Sequence, residues 1–567
     1  MDKRELVKIL EDMAVILELA GENPFKVRAY RNAARVLARA EGTLTELLAG
    51  NRLEGIKGIG KAISQKIREY AATGQIAEYQ AMRAKVPPVV FELVKIPGLG
   101  PQKAILLHKQ LGVESLGELE YACRENRLAG LPGFGVKTQE KILAGIEQLK
   151  RYQGQYLLCE VQPIADKLRE YLVYQDGVDQ VYVTGEVRRL LPVVQAIKLL
   201  LVSSVPLKVA AAFKQLPEVA RVTELGEGLL VLELINGIEA VINLVRPSQL
   251  VVALHTDTGS PGHLEQLRRL AAERGLNLAD CYAVPSEQDF YLRLGLDYIE
   301  PELREGLGEI EAAQTGNLPK LVTYPDLKGA FHVHTNYSDG SDSLADIVQA
   351  AQNLGWEYLG IADHSQTAVY ANGLKPDMIT AQRQEIERLN AANPNFRIFA
   401  GIECDILPDG SLDYPDDILA EFDFVIASIH SAFRQSEGEM TRRIIRALEN
   451  PYVSMLGHAT GRILLAREGY AVDLPAVIQA AADTGTILEI NANPYRLDLD
   501  WQWHRRAKEA GVLLAINPDA HTTAELDHVR WGVAAARKGW LTAADIINTR
   551  PADQVLALLQ RKRANGR

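Results

Sequence analysis

The chain has 567 residues, of which 47% are hydrophobic and 24% are charged, and a formal net charge of −11 at pH 7. A chain of this length and composition folds into several globular domains of about 100–200 residues each, so a largely disordered protein is excluded. No apolar run is long enough to span a membrane, the acidic N-terminus is unlike a secretion signal, and the four cysteines form no CxxC pair. We therefore expect a cytoplasmic protein with neither a disulfide framework nor a cysteine zinc site.

Charge is distributed unevenly along the chain. Residues 1–150 contain 23 Lys and Arg against 18 Asp and Glu, residues 151–322 contain 16 against 23, and the remainder contains 23 against 32. A basic N-terminal region in an acidic protein is suited to binding the phosphate backbone of a nucleic acid. The same charge is equally typical of a solvated surface that binds no partner. Charge alone does not separate these two interpretations.

The first 150 residues contain three copies of a glycine hairpin. Each copy is an apolar residue and one spacer, then Gly-apolar-Gly and a helical stretch. The glycines allow a tight turn and close approach of another backbone, and the N-terminus of the following helix presents free N–H groups to a phosphate. This is the helix-hairpin-helix motif, and three copies with nearby basic residues favour DNA binding over packing alone. The residues predicted to contact DNA are Gly58, Gly60, Lys61, Gly98, Gly100, Gly133, Gly135 and Lys137.

The helical sequence FKVRAYRNAARVL, followed by the hairpins, resembles the start of the bacterial family X DNA polymerases (PolX). Together with the C-terminal barrel described below, the resemblance implies a multidomain α+β and α/β fold with a nucleotidyltransferase-like palm and thumb. The predicted domains are a helical helix-hairpin-helix domain over 1–80, a fingers-like hairpin domain over 81–153, a palm over 154–250, a thumb over 251–322 and a barrel over 323–567.

The predicted palm departs from the family at its catalytic positions. Family members carry a Gly-Ser motif, an Asp-x-Asp and a later third Asp, and the three aspartates hold two Mg²⁺ ions. In this chain Glu186 follows Gly185 where the family has serine. Ala196, Lys198 and Val241 occupy the three aspartate positions. None of these three side chains offers the hard oxygen donor that Mg²⁺ requires, so we predict a folded palm without polymerase activity.

Two further activities of the family depend on other residues. Weak DNA synthesis would need relocated acids such as Glu233 or Glu239 to hold Mg²⁺, and we do not expect this. The family's lyase activity needs a Schiff-base lysine in the N-terminal region, where the segment GQIAEYQAMRAKV offers only Lys85 near the expected place. The sequence therefore does not decide whether the chain has lyase activity.

From residue 328 onward, short apolar strands alternate with helical stretches. The candidate strands are 328–334, 357–363, 397–403, 424–430, 452–458, 486–491 and 512–517. Seven such units predict a (β/α)7 barrel of parallel strands, whose carboxyl ends form the functional face.

Residues suited to metal ligation end or follow six of these strands. They are His332, His334, Asp339, His364, Glu403, His430, His458, Asp519 and His521, and they include six of the eleven histidines of the chain. His332 and His334 are two apart on a strand and should point the same way. One histidine at a strand end is more often a hydrogen-bonded structural residue, whereas nine such residues predict a site for several cations.

Six segments of this region resemble the PHP (polymerase and histidinol phosphatase) domain over residues 325–567. They are HVHTNYSDG, ADHS, GIECDI, SIHS, GHAT and NPDAH. The resemblance implies that the nine residues are metal ligands and form the catalytic site. In the family this site holds up to three divalent ions, typically Mn²⁺ or Zn²⁺, and we expect three in this chain. Such a cluster activates water for attack on phosphorus. Asp363 and Asp405 are expected to orient ligating histidines.

These patterns together predict a DNA-binding, metal-dependent 3′-5′ exonuclease with a role in DNA repair. We expect a monomer with DNA as its partner and no membrane association. One alternative is a small-molecule phosphatase of the histidinol phosphatase type, against which the three hairpins argue. Another is a DNA-bound scaffold without enzymatic activity, against which the intact ligand set argues.

Overall fold

The computed structural model of the chain describes residues 3–39, 59–96, 98–128, 130–150, 154–205, 219–226, 228–234 and 237–565. The chain divides into two compact units, Met1–Leu149 and Lys150–Arg567. The finer division into five domains stays a prediction. Within the described residues, every helix is too short or too polar to cross a lipid bilayer.

The first unit is helical wherever the structure describes it. Its helices are Lys3–Leu19, Pro24–Arg39, Lys61–Thr73, Ala77–Arg83, Pro88–Leu93, Pro101–Leu111, Leu116–Arg124 and Val136–Lys150. In the first helix Leu6, Leu10, Met13 and Leu17 are buried. Their spacing of three and four residues places them on one face, which packs into a single hydrophobic cluster with the later helices.

The second unit begins with a mixed sheet in the region predicted as palm. The strands are β1 (Tyr156–Leu157), β2 (Gln180–Thr184), β3 (Val193–Val194), β4 (Ile197–Val202), β5 (Val219–Leu225), β6 (Leu229–Leu234) and β7 (Glu239–Val245). Five of them form a sheet in the order β2-β4-β7-β6-β5, in which β4 and β7 are parallel. The helix Leu158–Val173 covers one face of this sheet, and Val161 and Leu168 share its hydrophobic cluster.

Short helices form the next region, predicted as thumb. They are Leu250–Thr258, Pro261–Glu273, Leu278–Cys281, Glu287–Arg293 and Glu309–Gln314. Their core contains the aromatic pair Phe290 and Tyr291 and a buried arginine, Arg304. Arg304 Nη1 lies 2.5 Å from Glu287 Oε1, so the buried cation is paired with an acid.

The third region is a barrel of seven parallel strands. They are β8 (Gly329–Val333), β9 (Tyr358–Ile361), β10 (Arg397–Asp405), β11 (Phe424–Ser428), β12 (Met455–Leu456), β13 (Ile487–Asn491) and β14 (Leu514–Asn517). The sheet follows chain order, and a parallel bridge between Val333 and Ala520 brings its two ends together, so the barrel is nearly closed. This confirms the predicted (β/α)7 architecture. The β12 strand is shorter than predicted at both ends, and beyond its carboxyl end the backbone leaves the strand conformation at His458, where φ is +22°.

Helices surround the barrel, and aromatic rings fill it. The helices are Leu344–Asn353, Pro376–Ala392, Asp416–Leu419, Glu437–Leu448, Leu474–Thr484, Trp501–Glu509, Val529–Lys538 and Ala552–Asn565. Inside, the rings of Phe331 and Phe424 lie 5.1 Å apart between centroids. A Cβ on Gly401 would lie 2.2 Å from the Phe424 ring, so this strand position requires glycine. The packed interior leaves the carboxyl ends of the strands as the accessible face.

Candidate metal centre

The structure brings all nine predicted ligands to the carboxyl end of the barrel. His332 and Glu403 lie within strands, and the other seven follow strand ends. Seven of the nine are buried, while Asp339 and His430 are partly accessible. Residues almost 190 positions apart in the sequence therefore meet at one place, as the barrel topology predicted.

The nine residues form four overlapping groups, in each of which the potential ligand atoms lie within 4.8 Å of one another. The groups are His334, Asp339, His364 and His521; His332, Glu403 and His458; His332, His334 and Asp519; and His364, Glu403 and His430. These are the groups found among the described residues. Because four of the residues belong to two groups each, the groups are contiguous and suit a multinuclear site.

Several buried polar atoms of this cluster have no hydrogen-bond partner. They are Nε2 of His332, both ring nitrogens of His334 and His364, Oδ2 of Asp339, Oε2 of Glu403 and Nδ1 of His458. His364 Nδ1 is only 2.9 Å from Glu403 Oε2, yet neither atom makes a hydrogen bond. Unpaired buried polar atoms are costly, and bound cations would satisfy them. The donor set of imidazole and carboxylate therefore fits divalent cations such as Mn²⁺ or Zn²⁺.

Electrostatics in the cluster keep the carboxylates ionised. Burial raises the pKa of Glu403, but the neighbouring histidines outweigh burial and hold this pKa well below its usual range. Burial lowers the pKa of His364, but Asp339 and Glu403 outweigh burial and raise it to about 10. Burial, with His521 and His364, lowers the pKa of His334 to about 3. Without cations, the cluster thus balances its negative charge with protons on selected imidazoles.

Three of the nine residues have a left-handed backbone. The φ angles are +59° at His332, +22° at His458 and +52° at Asp519. Positive φ is unfavourable for residues other than glycine, costs about 1–3 kcal/mol each, and is found where function requires a fixed geometry. The β8 pairing is correspondingly irregular after Ala330. The Ala520 carbonyl accepts a hydrogen bond from the His334 N–H at 2.8 Å, which holds the first and last strand ends together.

Sequence reasoning missed Glu489, a fully buried acid on β13. His332 Nδ1 lies 2.6 Å from Glu489 Oε2, which also accepts from Asn517, while Oε1 accepts from Asn491 and from the His458 N–H. This carboxylate holds the His332 ring with Nε2 directed to the cluster. An acid between the apolar residues of ILEI, in the predicted strand TILEIN, was the available signal.

Asp405 and Asp363 differ in what they contact. His430 Nδ1 lies 2.6 Å from Asp405 Oδ1, so Asp405 orients a candidate ligand. Asp363 instead accepts hydrogen bonds from the Thr335 N–H and hydroxyl and from the Ser338 hydroxyl. Gln382, on the helix Pro376–Ala392, also donates to Asp363. Asp363 therefore ties the loop between His334 and Asp339 to that helix, and among the described contacts no hydrogen bond links it to a histidine.

The predicted palm positions lie together on the mixed sheet. Lys198 on β4 pairs in register with Val241 on β7, and Ala196 directly precedes β4. A Cβ on Gly185 would lie 2.8 Å from Cδ of Lys198, so the lysine stem covers this glycine. The neighbouring carboxylate, Asp257, has its pKa raised by burial, and Lys198 partly opposes that rise.

The two acids considered as substitutes face each other on the same sheet. Glu233 on β6 pairs in register with Glu239 on β7. Arg221 lies 2.5 Å from Glu233 Oε2 and neutralises it. Within the described part of the chain, neither acid belongs to a group of three possible ligands.

The glycines of the predicted DNA contacts are open to solvent. Gly60 and Gly100 cap the helices Lys61–Thr73 and Pro101–Leu111, and Gly98 and Gly133 have φ of +86° and +83°. The glycines at which an added Cβ would meet no atom within 4 Å are Gly60, Gly98, Gly100, Gly133 and Gly135. Lys61 and Lys137 are exposed, and Gly58 lies outside the described residues. The backbone at the hairpins is therefore accessible to a ligand.

Family comparisons agree with this architecture. Residues 1–76 match the family described as "Helix-hairpin-helix domain", and residues 90–148 match "SAM-like Helix-hairpin-helix tandem". Residues 253–305 match "DNA polymerase beta thumb", and residues 330–493 match "PHP domain". The helix-hairpin-helix regions and the polymerase similarity imply DNA binding.

Two kinds of curated relative resemble the chain. The barrel is 30% identical over 162 residues to a "Probable phosphatase" of Thermoanaerobacter sp. (strain X514), covering 27% of this chain and 64% of that protein. It is also 29% identical over 210 residues to a "Probable phosphatase" of Caldicellulosiruptor bescii, covering 34% of this chain and 80% of that protein. The whole chain is 37% identical over 574 residues to the "DNA polymerase/3'-5' exonuclease PolX" of Bacillus subtilis (strain 168), covering 99% of this chain and 100% of the relative. From that similarity along the entire length, the chain belongs to the bacterial PolX family.

Proposed function

We propose that the barrel of this PolX protein is a metal-dependent 3′-5′ exonuclease that degrades DNA. The observation that carries the proposal is the buried cluster of nine candidate ligands with unpaired atoms. It lies in a chain whose first unit exposes the glycines of helix-hairpin-helix motifs. The name of the Bacillus subtilis relative includes the same activity. The hairpin glycines, Lys61 and Lys137 are proposed to contact the phosphate backbone, which is read without base specificity.

The nine residues are proposed to hold three divalent cations. When bound, such ions activate water as a nucleophile and neutralise charge on a phosphoryl group. The protein contributes the arrangement: neutral imidazole nitrogens such as those of His334, and ionised carboxylates such as Glu403, converge on one pocket. Glu489 and Asp405 fix the rings of His332 and His430, so the free ring nitrogens face the pocket.

The palm is proposed to lack polymerase activity. Ala196, Lys198 and Val241 supply no carboxylate at the positions where the family holds Mg²⁺. Lys198 is positively charged and lies beside Val241, so a metal ion there would meet a like charge. The Bacillus subtilis relative is named as a polymerase as well, so primer extension is the assay that tests this part of the proposal.

A small-molecule phosphatase is the second candidate. It is favoured by the barrel's similarity to proteins named as probable phosphatases. A phosphomonoester would use the same cations but would not need the hairpins of the first unit.

Two substrates on one Mn²⁺-loaded preparation separate the candidates. A single-stranded oligonucleotide labelled at its 5′ end should shorten progressively from its 3′ end, while a small phosphomonoester should react slowly. A preparation that hydrolyses only the monoester would support the phosphatase and contradict the exonuclease. Metal analysis of the same preparation should give about three ions per chain.

A further inference from the structure

Two adjacent apolar side chains lie exposed beside the metal centre. Val369 is 82% exposed and Tyr370 is 45% exposed, in the loop that follows His364. In the described part of the barrel, the other large hydrophobic residue of comparable exposure is Leu354, at 36%. Single exposed apolar residues are common on protein surfaces, but a neighbouring pair at the rim of a functional site indicates a binding surface.

The Tyr370 ring is in contact with the cluster itself. Its centroid lies 6.1 Å from that of the His364 ring, and the two planes meet at 61°. His364 belongs to two of the four ligand groups and is almost fully buried. The aromatic ring thus extends from the cation pocket to the solvent, where the group attached to a bound phosphate would lie.

The loop that carries these side chains is held firmly. A parallel bridge between Ser365 and Leu374 closes its base, and the Gly373 N–H donates to the Ala368 carbonyl at 3.1 Å. A Cβ on Gly373 would lie 1.9 Å from the Ser365 carbonyl oxygen, so the closure is tight. The position of the loop tip relative to the cluster is therefore fixed before any ligand arrives.

The same loop is tied to a residue that orients the metal centre. The Thr367 hydroxyl donates to Asp405 Oδ2 at 3.1 Å, and Asp405 Oδ1 lies 2.6 Å from His430 Nδ1. The Thr367 N–H donates to Asp413 Oδ2 at 2.8 Å. The binding surface and the candidate ligands consequently share one hydrogen-bonded frame.

We propose that Tyr370, flanked by Val369, is the platform on which the base of the 3′-terminal nucleotide stacks while its phosphate lies at the cluster. The inference rests on the proposed exonuclease and names the part of the substrate that the site recognises. Aromatic rings bind bases of any sequence because every base has a π face. The platform therefore selects substrates that carry a nucleobase over bare phosphomonoesters, without sequence preference.

The test uses two oligonucleotides that differ only at the 3′ end. One ends in thymidine and the other in a tetrahydrofuran residue that lacks a base, and both are digested by the full chain with Mn²⁺. Tyr370→Ala should lower kcat/KM on the thymidine end about tenfold, which corresponds to about 1.4 kcal/mol of lost stacking, and should leave the baseless end unchanged. Tyr370→Phe should keep the wild-type preference because it keeps the ring.

Tyr174→Ala is the matched control. Tyr174 is 85% exposed and lies at the end of the helix Leu158–Val173, in the region predicted as palm. Its replacement should change neither substrate. If Tyr370→Ala lowers both substrates equally, or neither, the stacking platform is wrong while the exonuclease stands.

A second readout does not depend on nuclease activity. Tyr370→Trp places a fluorescent ring at the platform, and thymidine monophosphate should quench it whereas inorganic phosphate should not, after subtraction of the wild-type signal. Equal responses to the two ligands would overturn the inference. If the wild type cleaves neither oligonucleotide, the proposed exonuclease fails, and this titration still decides whether a base binds at Tyr370.

Discussion

The palm sheet and the barrel of this protein build their sites in the same way but fill them differently. Both bring residues from separate strands onto one surface. In the barrel those positions hold nine imidazoles and carboxylates, whereas in the palm the register of β4 and β7 brings together Lys198 and Val241. The comparison teaches that strand pairing decides which positions meet, while the side chains at those positions decide which chemistry is available.

Buried polar contacts connect the palm and the thumb region to the barrel. Lys538 of the barrel is buried, and its Nζ donates to the carbonyls of Arg189 in the palm and Glu302 in the thumb region. Its charge pairs with Glu305, which also binds Arg189 at 2.9 Å. Removing the palm would take Arg189 away from both groups: Glu305 would lose one of its two cation partners and Lys538 one of its carbonyl acceptors. The palm therefore supports the buried ion pair between the thumb region and the barrel, whatever its catalytic state.

Replacing a candidate metal ligand of the barrel should cause the largest loss of activity. His334→Ala removes an imidazole whose two nitrogens have no hydrogen-bond partner, so we expect a loss of DNA hydrolysis of more than about a hundredfold, beyond the 10–100-fold typical of residues that only support a ligand. Nuclease assays and metal analysis measure this. His108→Ala, in the first unit, is the control. Near-normal activity and metal content in His334→Ala would contradict the assignment.

A primer-extension assay tests whether the palm has polymerase activity. With Mg²⁺ and nucleotides, neither the wild type nor His334→Ala should extend a primer on a template, because no carboxylate stands at the three palm positions. The His334→Ala variant matters here because its nuclease activity should be absent, so any product would accumulate. Template-directed extension by either protein would show that the palm holds cations by other residues.

Glu489→Gln tests whether the carboxylate that contacts His332 supports the metal site, because it removes one charge without changing the size of the side chain. The amide no longer stabilises the His332 ring in its bound orientation, so we expect Mn²⁺ affinity and kcat/KM to fall about 10–100-fold. Calorimetric Mn²⁺ titration and nuclease kinetics measure the two quantities. Glu357→Gln changes an exposed acid and should have no effect. Unaltered metal affinity in Glu489→Gln would mean that His332 needs no such support.

Lys538→Met tests the joint between the two regions and should have the smallest effect on catalysis. Breaking a buried ion pair costs about 3–5 kcal/mol of unfolding free energy, and the lower value applies here because Glu305 keeps Arg189. Thermal unfolding should show a clear fall in Tm, with activity per folded molecule preserved. Lys508→Met, at a half-exposed pair with Asp545, is the control. Equal Tm values for the two variants would contradict a stabilising role for the contacts of Lys538 with the palm and the thumb region.

Local patterns were sufficient to predict much of the molecule. Strand-end histidines and acids, alternating strands and helices, and repeated Gly-apolar-Gly segments are short-range features, and each reflects the backbone geometry that its own segment adopts. The seven-stranded barrel and the convergence of the nine candidate ligands follow from those features because parallel strands share one carboxyl edge.

Contacts between distant segments required the folded chain. Glu489 and His332 are 157 residues apart, and nothing in the segment around either residue specifies the other. The same holds for the pairing of Lys538 with Glu305 and for the exposure of Tyr370, which depends on how neighbouring loops pack. Pairing and burial arise when the barrel closes and brings unrelated segments together, so tertiary structure alone decides which polar groups find partners and which face a ligand.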